Sequence, residues 1–179
     1  MPSSRVIPDA EFAPAPIGTR IRLLTIFTPC AIVIGTMVTS AITAKPGSNL
    51  RWWPLVAPLI LLPIIGGAWC GARIRRYLLA GDELLVERAW LKARFTLKGL
   101  QAAVPDRDAL RGARRIVGND GLGAISGRFR SKRLGRFRAY VTDPEQAVVL
   151  RWPDRCLVIS PQHPSLFVET VRKRAGLSA

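Results

Sequence analysis

LLTIFTPCAIVIGTMVTSAITA, residues 23–44, and WWPLVAPLILLPIIGGAWCGA, residues 52–72, contain no charged side chain. At ~1.5 Å rise per residue, a helix of either length spans a hydrocarbon core about 30 Å thick. A soluble domain seldom holds two such runs. Residues 23–72 are therefore expected to form an α-helical transmembrane hairpin, with helices over about 23–44 and 52–72. A cleaved secretory signal fits less well. Its apolar part is ~7–15 residues long, and the first run here is longer and starts late. Ala41 and Ala44 are small enough for a cleavage site, but the second run would still anchor the product.

The seven residues Lys45–Arg51 suffice for a turn and nothing more. Pro46, Gly47 and Asn49 are turn formers. Trp52 and Trp53 suit the aromatic belt at a membrane–water interface, and Trp69 and Tyr77 are expected near the opposite one. Arg20 and Arg22 precede the first run; Arg73, Arg75 and Arg76 follow the second; the turn carries only Lys45 and Arg51. Five cations against two favour both chain ends in the cytoplasm. Residues 1–22 are expected to be a flexible cytoplasmic segment.

Within the spans, Gly67 and Gly71 form a GxxxG pair, and Ala31 and Gly35 its small-residue analogue. Small residues let helix backbones approach closely in lipid. The first expectation is packing of the two helices on each other; the second is a homo-oligomer. Pro29, Pro58 and Pro63 are expected to bend the helices. The absence of any charge argues against an ion path or proton relay.

Residues 73–179 form the soluble part, with 22 lysines and arginines against 10 carboxylates, a net charge of +12. Its pattern is mostly that of strands. Tyr77–Ala80 and Leu84–Arg88 flank Gly81-Asp82, a tight turn. Ala93–Leu97 and Arg138–Thr142 alternate polar and apolar. Ala147–Arg151 and Arg155–Ile159 flank Trp152-Pro-Asp154. The period then changes: Leu166, Phe167, Val168 and Val171 fall at helical spacing, with Pro164 in the first turn and Arg172, Lys173 and Arg174 at the cation-favouring end.

Gly127-Arg-Phe-Arg130 recurs as Gly135-Arg-Phe-Arg138. Side chains alternate faces along a strand. A hairpin through Ser131–Leu134 would point Phe129 and Phe137 inward. It would gather Arg128, Arg130, Arg136 and Arg138, with Lys132 and Arg133 at the tip, into one basic surface suited to lipid or phosphate groups. Arginine binds phosphate through paired hydrogen bonds.

These features resemble the bacterial PH-like domain proteins, in which a membrane helix pair precedes a pleckstrin-homology-type domain. The resemblance covers residues 76–174. It rests on the hairpin around Gly81-Asp82, on Gly118, Gly121, Gly123 and Gly127, on Arg138–Thr142, and on Leu157–Pro161 leading to Phe167. It implies an all-β fold of about seven strands in two sheets, closed by a C-terminal helix. It also implies a binding scaffold without catalytic residues, in a bacterial inner membrane. In this family an acidic or amide residue often caps the last helix, where His163 stands here.

Other chemistries find little purchase. Cys30, Cys70 and Cys156 form no CxxC, and His163 has no neighbouring ligand set, so neither a metal nor a cofactor is expected. Buried, reduced thiols are the simpler reading of the cysteines. Gly118–Gly123 lacks the Lys-Ser/Thr and the following helix of a phosphate loop, and reads as a flexible connection. The carboxylates Asp82, Glu83, Asp106, Asp108, Asp143 and Glu145 sit in turn-like settings, and no serine lies in a nucleophile elbow. Nucleic acid is not expected, since no recognition motif accompanies the charge. The expectation is a non-catalytic, membrane-anchored module that recruits a protein partner while its basic face meets anionic lipid. An accessory subunit assembled through the hairpin is the alternative, and a membrane enzyme a distant one.

Overall fold

The computed structural model describes residues 9–43, 53–121 and 123–177. The turn expected over residues 45–51, with Trp52, lies outside them. Strand β1 (Ala10–Phe12) leads to helix α1 (Thr19–Thr43) and helix α2 (Trp53–Ala72). Strands β2 (Ile74–Ala80), β3 (Glu83–Arg88), β4 (Lys92–Thr96), β5 (Ala102–Pro105), β6 (Arg114–Asp120), β7 (Ile125–Ser131), β8 (Gly135–Val141), β9 (Val148–Arg151) and β10 (Cys156–Ile159) follow, and helix α3 (Pro164–Ala175) ends the order. The three β-hairpins expected around Gly81-Asp82, Ser131–Leu134 and Trp152-Pro-Asp154 form close to their expected bounds.

Ten strands stand among the described residues instead of about seven, in sheets ordered β1-β2-β3-β4 and β5-β9-β10-β8-β7-β6. Every pair is antiparallel except β10 with β8.

The six-stranded sheet carries a core on each face, although its edge strand β6 is largely exposed. One face contributes Tyr140, Leu157 and Ile159 to a core shared with Tyr77, Leu79, Leu84 and Val86 of the other sheet, closed by Phe167, Val168 and Val171 of α3. The opposite face contributes Ile125, Phe129, Phe137, Ala139 and Val158 to a second core, which Ile21 of α1 and Ala109 of the β5–β6 connection cover. Phe129 and Phe137 are buried as expected, but in this outer core. Of the arginines that alternate with them, Arg128, Arg136 and Arg138 therefore face the mouth between the two sheets.

Residues 9–18 are not the loose segment expected of residues 1–22. Ala10–Phe12 pairs with Tyr77–Leu79. The Phe12 ring meets Phe167 edge-on at 5.1 Å. Further along, Ala15 N donates to Ser160 O and Gly18 N to Thr142 O, at 2.9 and 3.0 Å. Tyr77, expected at a membrane interface, is fully buried: its hydroxyl donates to Tyr140 O at 2.8 Å and accepts from Ser160 N at 3.3 Å.

Among the described residues only α1, over Thr19–Ile42, is long and apolar enough to cross a membrane; the apolar stretch of α2, Val56–Gly71, is shorter. The two helices lie against each other, and Thr25 and Pro29 on one and Leu62, Ile65, Gly66 and Trp69 on the other line a small cleft. Their outer faces leave Phe27, Ile34, Ile42, Leu59 and Ile64 exposed. Cys30 and Cys70 are exposed on these helices; only Cys156 is buried, where desolvation raises its thiol pKa.

Candidate functional site

The β7–β8 hairpin sets the site. Its register faces Arg128 with Arg138, Phe129 with Phe137 and Arg130 with Arg136. Alternation then places all four arginines on one face, and all four are exposed. Leu157 lies beside Arg138 on β10. Two adjoining clefts open beside Arg128 and Arg138, lined from both sheets. One, of about 610 Å³, is lined by Gly71, Arg88, Trp90, Arg128, Arg138 and Tyr140, among others. The other, of about 480 Å³, shares Arg128 and Arg138 and adds Arg94, Phe95, Arg136 and Arg155.

Arg88 was not among the residues singled out from the sequence. It ends the inward series Leu84, Val86, Arg88 on β3, and that alternation was the available signal. Its guanidinium lies 5.2 Å from the centre of the Tyr140 ring, and its Nε is buried without a hydrogen-bond partner. A cation held over an aromatic face and short of one acceptor is well placed for an anion. Among the described residues, the ion pairs engage Arg76, Lys92, Lys98, Arg111, Arg133 and Arg174, and none engages Arg88, Arg128, Arg130, Arg136 or Arg138.

The other expected residues fall elsewhere. Arg130, Lys132 and Arg133 line a separate depression at the far end of the hairpin, with Arg111 and Arg114. Arg133 is bonded to Asp106 there. Gly67 and Gly71 do not face α1: a Cβ added at either would meet Trp90 of the β3–β4 turn. Ala31 and Gly35 are exposed, with open space beside Gly35.

Nor is Gly118–Gly123 a loose connection. Gly118 lies in β6 opposite Gly127, and Gly121 packs on Leu24 of α1. The Thr25 hydroxyl donates to Gly121 O and accepts from Gly123 N, both at 2.9 Å. This turn fixes the domain against the helices.

The carboxylates sit in turns. Asp106 accepts from Asp108 N at 3.0 Å and Asp143 from Glu145 N at 3.1 Å. Among the described residues, no three of histidine, cysteine, aspartate and glutamate gather as a metal site would require.

A family model described as Bacterial PH domain matches residues 75–175, more than half of the chain. No curated protein and no solved structure matches it. The matched stretch takes in β2 from its second residue, β3–β10 and α3, and leaves out β1 of the four-stranded sheet. The chain belongs to the bacterial PH domain family.

Proposed function

We infer that this chain is a non-catalytic, membrane-anchored binding module of the PH type. In this reading α1 and α2 cross the bilayer as a hairpin, and the arginines nearest the helices meet anionic lipid. The far basic end of the domain takes a protein partner.

The pairing of β1 with β2 carries the reading. β1 precedes α1 and β2 follows α2, yet they are neighbours in one sheet. A chain that enters a membrane between two paired strands must cross it an even number of times. With α1 long enough for one crossing, α2 supplies the return. Arg20, Arg22, Arg73, Arg75 and Arg76 favour the cytoplasmic face of a bacterial inner membrane for the sheets.

Distance divides the arginines. The Gly121–Gly123 turn touches both helices, on Leu24 of α1 and Trp69 of α2. Arg128 lies three residues along β7 from Ile125, about 10 Å at ~3.3 Å per residue. That is close to the screening length of about 8 Å at physiological salt. Ser131 is six residues along, about 20 Å, so Lys132 and Arg133 lie beyond it. A cation close to an anionic leaflet is worth about 1 kcal/mol. Arg88, Arg128 and Arg138 then serve the lipid, and Arg130, Lys132, Arg133 and Arg136 an acidic surface of the partner.

The test uses the full chain in nanodiscs of phosphatidylglycerol or phosphatidylcholine, read by hydrogen exchange of β7 and β8. Exchange should be slower in the anionic discs at low salt. The difference should vanish when Arg88, Arg128 and Arg138 are replaced together by alanine, and should survive replacement of Lys132 and Arg133. Exchange indifferent to lipid charge would sink the lipid part of the reading. Photocrosslinking from position 132 in native membranes would identify the partner, and no adduct there would sink the other part.

A further inference from the structure

Gly67 and Gly71 stand one helical turn apart on α2, and Trp90 fills the notch they leave. A Cβ at Gly71 would lie 2.7 Å from Trp90 Cε3, and one at Gly67 would lie 3.7 Å from Cη2. The indole thus runs along the helix, from its last turn toward its middle. Gly67 is five residues inside the end of α2 at Ala72, roughly 7–8 Å at ~1.5 Å per residue.

Backbone bonds hold the turn in place. Ala89 N donates to Arg73 O at 3.2 Å, and Arg88 N to Leu91 O at 2.9 Å. Even so, Trp90 is 69% exposed and Leu91 59% exposed. Seated against α2, which itself leaves Leu59, Ile60 and Ile64 bare, the pair adds to a large exposed apolar surface, and such surfaces mark interaction or membrane sites. The residues around it suit lipid. Ala89, Trp90 and Leu91 carry no charge, and Arg88 and Lys92 flank them. The nearby carboxylate, Glu87, is bonded by both Arg76 and Lys92. Those bonds, from Lys92 first and then Arg76, hold its pKa below the ordinary glutamate value and keep it ionised, and the two paired cations offset its charge beside an anionic surface.

We propose that the β3–β4 turn is a third membrane contact, in which Trp90 and Leu91 enter the boundary between lipid headgroups and acyl chains beside α2. Tryptophan prefers that depth, and lysine and arginine prefer the headgroups just above it. The glycines of α2 are then a seat for this turn instead of a contact between helices. With two helices and the turn all engaged, the domain sits on the leaflet at one fixed tilt. The arginine cleft that Trp90 borders opens at the lipid surface.

The inference rests on α2 lying in the bilayer, and the experiment separates the two. The full chain, with Cys30, Cys70 and Cys156 replaced by alanine, carries an environment-sensitive NBD label at Leu91→Cys or at Ile60→Cys. Each is reconstituted with lipids bearing a doxyl quencher near the headgroup or deep in the acyl chain. Label at both positions should lose fluorescence. Position 91 should respond more to the shallow quencher, with blue-shifted emission. Quenching at 60 but not at 91 would overturn the proposal and leave the anchor standing. Quenching at neither would overturn both. Blue-shifted emission at 91 that no quencher reaches would mean that protein covers the turn, and would also overturn it. The unlabelled chain supplies a second measurement. Brominated lipid should quench wild-type tryptophan emission more than that of Trp90→Phe; equal quenching counts against the proposal.

Discussion

Tyr77 shows how one side chain ties distant parts of the chain together. Its ring is fully buried between the sheets, and its hydroxyl joins Tyr140 O to Ser160 N. The Ser160 hydroxyl accepts from Thr142 N at 2.7 Å, and the Thr142 hydroxyl donates to Ala15 O at 2.7 Å. Loss of a buried partner leaves the other group unsatisfied, at about 1–3 kcal/mol. Tyr77→Phe should therefore lower the stability of the full chain by about that much, measured by thermal unfolding in detergent. Burial also pushes the phenol from 10.0 up to about 12. A raised pKa of this kind gives stability that is complete below the unfolded value, near pH 10, and is lost as pH rises through the folded one. The wild type should lose stability between these limits by an increment that Tyr77→Phe lacks. Identical alkaline profiles would refute this account of the hydroxyl.

Among the elements, the β6–β7 pair leaves no room for change where its two glycines meet. Gly118 and Gly127 oppose each other with φ of +127° and +138°, and a Cβ on either would lie 2.2 Å from a carbonyl oxygen across the pair. Backbone strain of this sort costs about 1–3 kcal/mol before any clash is counted. Gly118→Ala should lower the melting temperature and speed hydrogen exchange in β6, with α3 little changed; an unshifted melt would show that the strands can part freely. The sequence carried much of this level. Turn chemistry and alternation located the β2–β3, β7–β8 and β9–β10 hairpins and the face shared by the arginines. Alternation tells which residues share a face, however, and not which layer that face meets. With one core in mind, Phe129 and Phe137 pointed inward; with a core on each side of the sheet, Arg128, Arg136 and Arg138 turn out to line the mouth. Arg88 followed the same alternation with Leu84 and Val86, but its charge hid it. Strand β1, three residues long, was too short to show a period, and the GxxxG pair had a partner 19 positions downstream of Gly71 that no local pattern could reveal.

At the scale of the whole molecule, the domain does not begin where α2 ends. β1 edges one sheet, Ala15 is buried, and Ile21 of α1 completes the outer core. A fragment of residues 73–179 therefore loses an edge strand, the acceptor for Thr142 and part of a core. It should melt below the full chain and bind a hydrophobic dye, and a synthetic peptide of residues 9–18 should partly restore it. If the fragment melts with the full chain, the leading segment is no part of the fold. The same pairing sets an order of events during synthesis. Phe12 pairs with Tyr77, so the first strand made must wait for the second while both helices are produced between them, roughly 3–13 s at ordinary elongation rates. In the proposed membrane hairpin, its place in the sheet can be taken only once both helices are inserted and the chain has returned to the side it left. Closure of that edge is thus a late event that reports correct insertion. A chain whose second helix failed to cross back would leave the edge of β2 bare, open to unwanted pairing and to the proteases that clear misassembled membrane proteins.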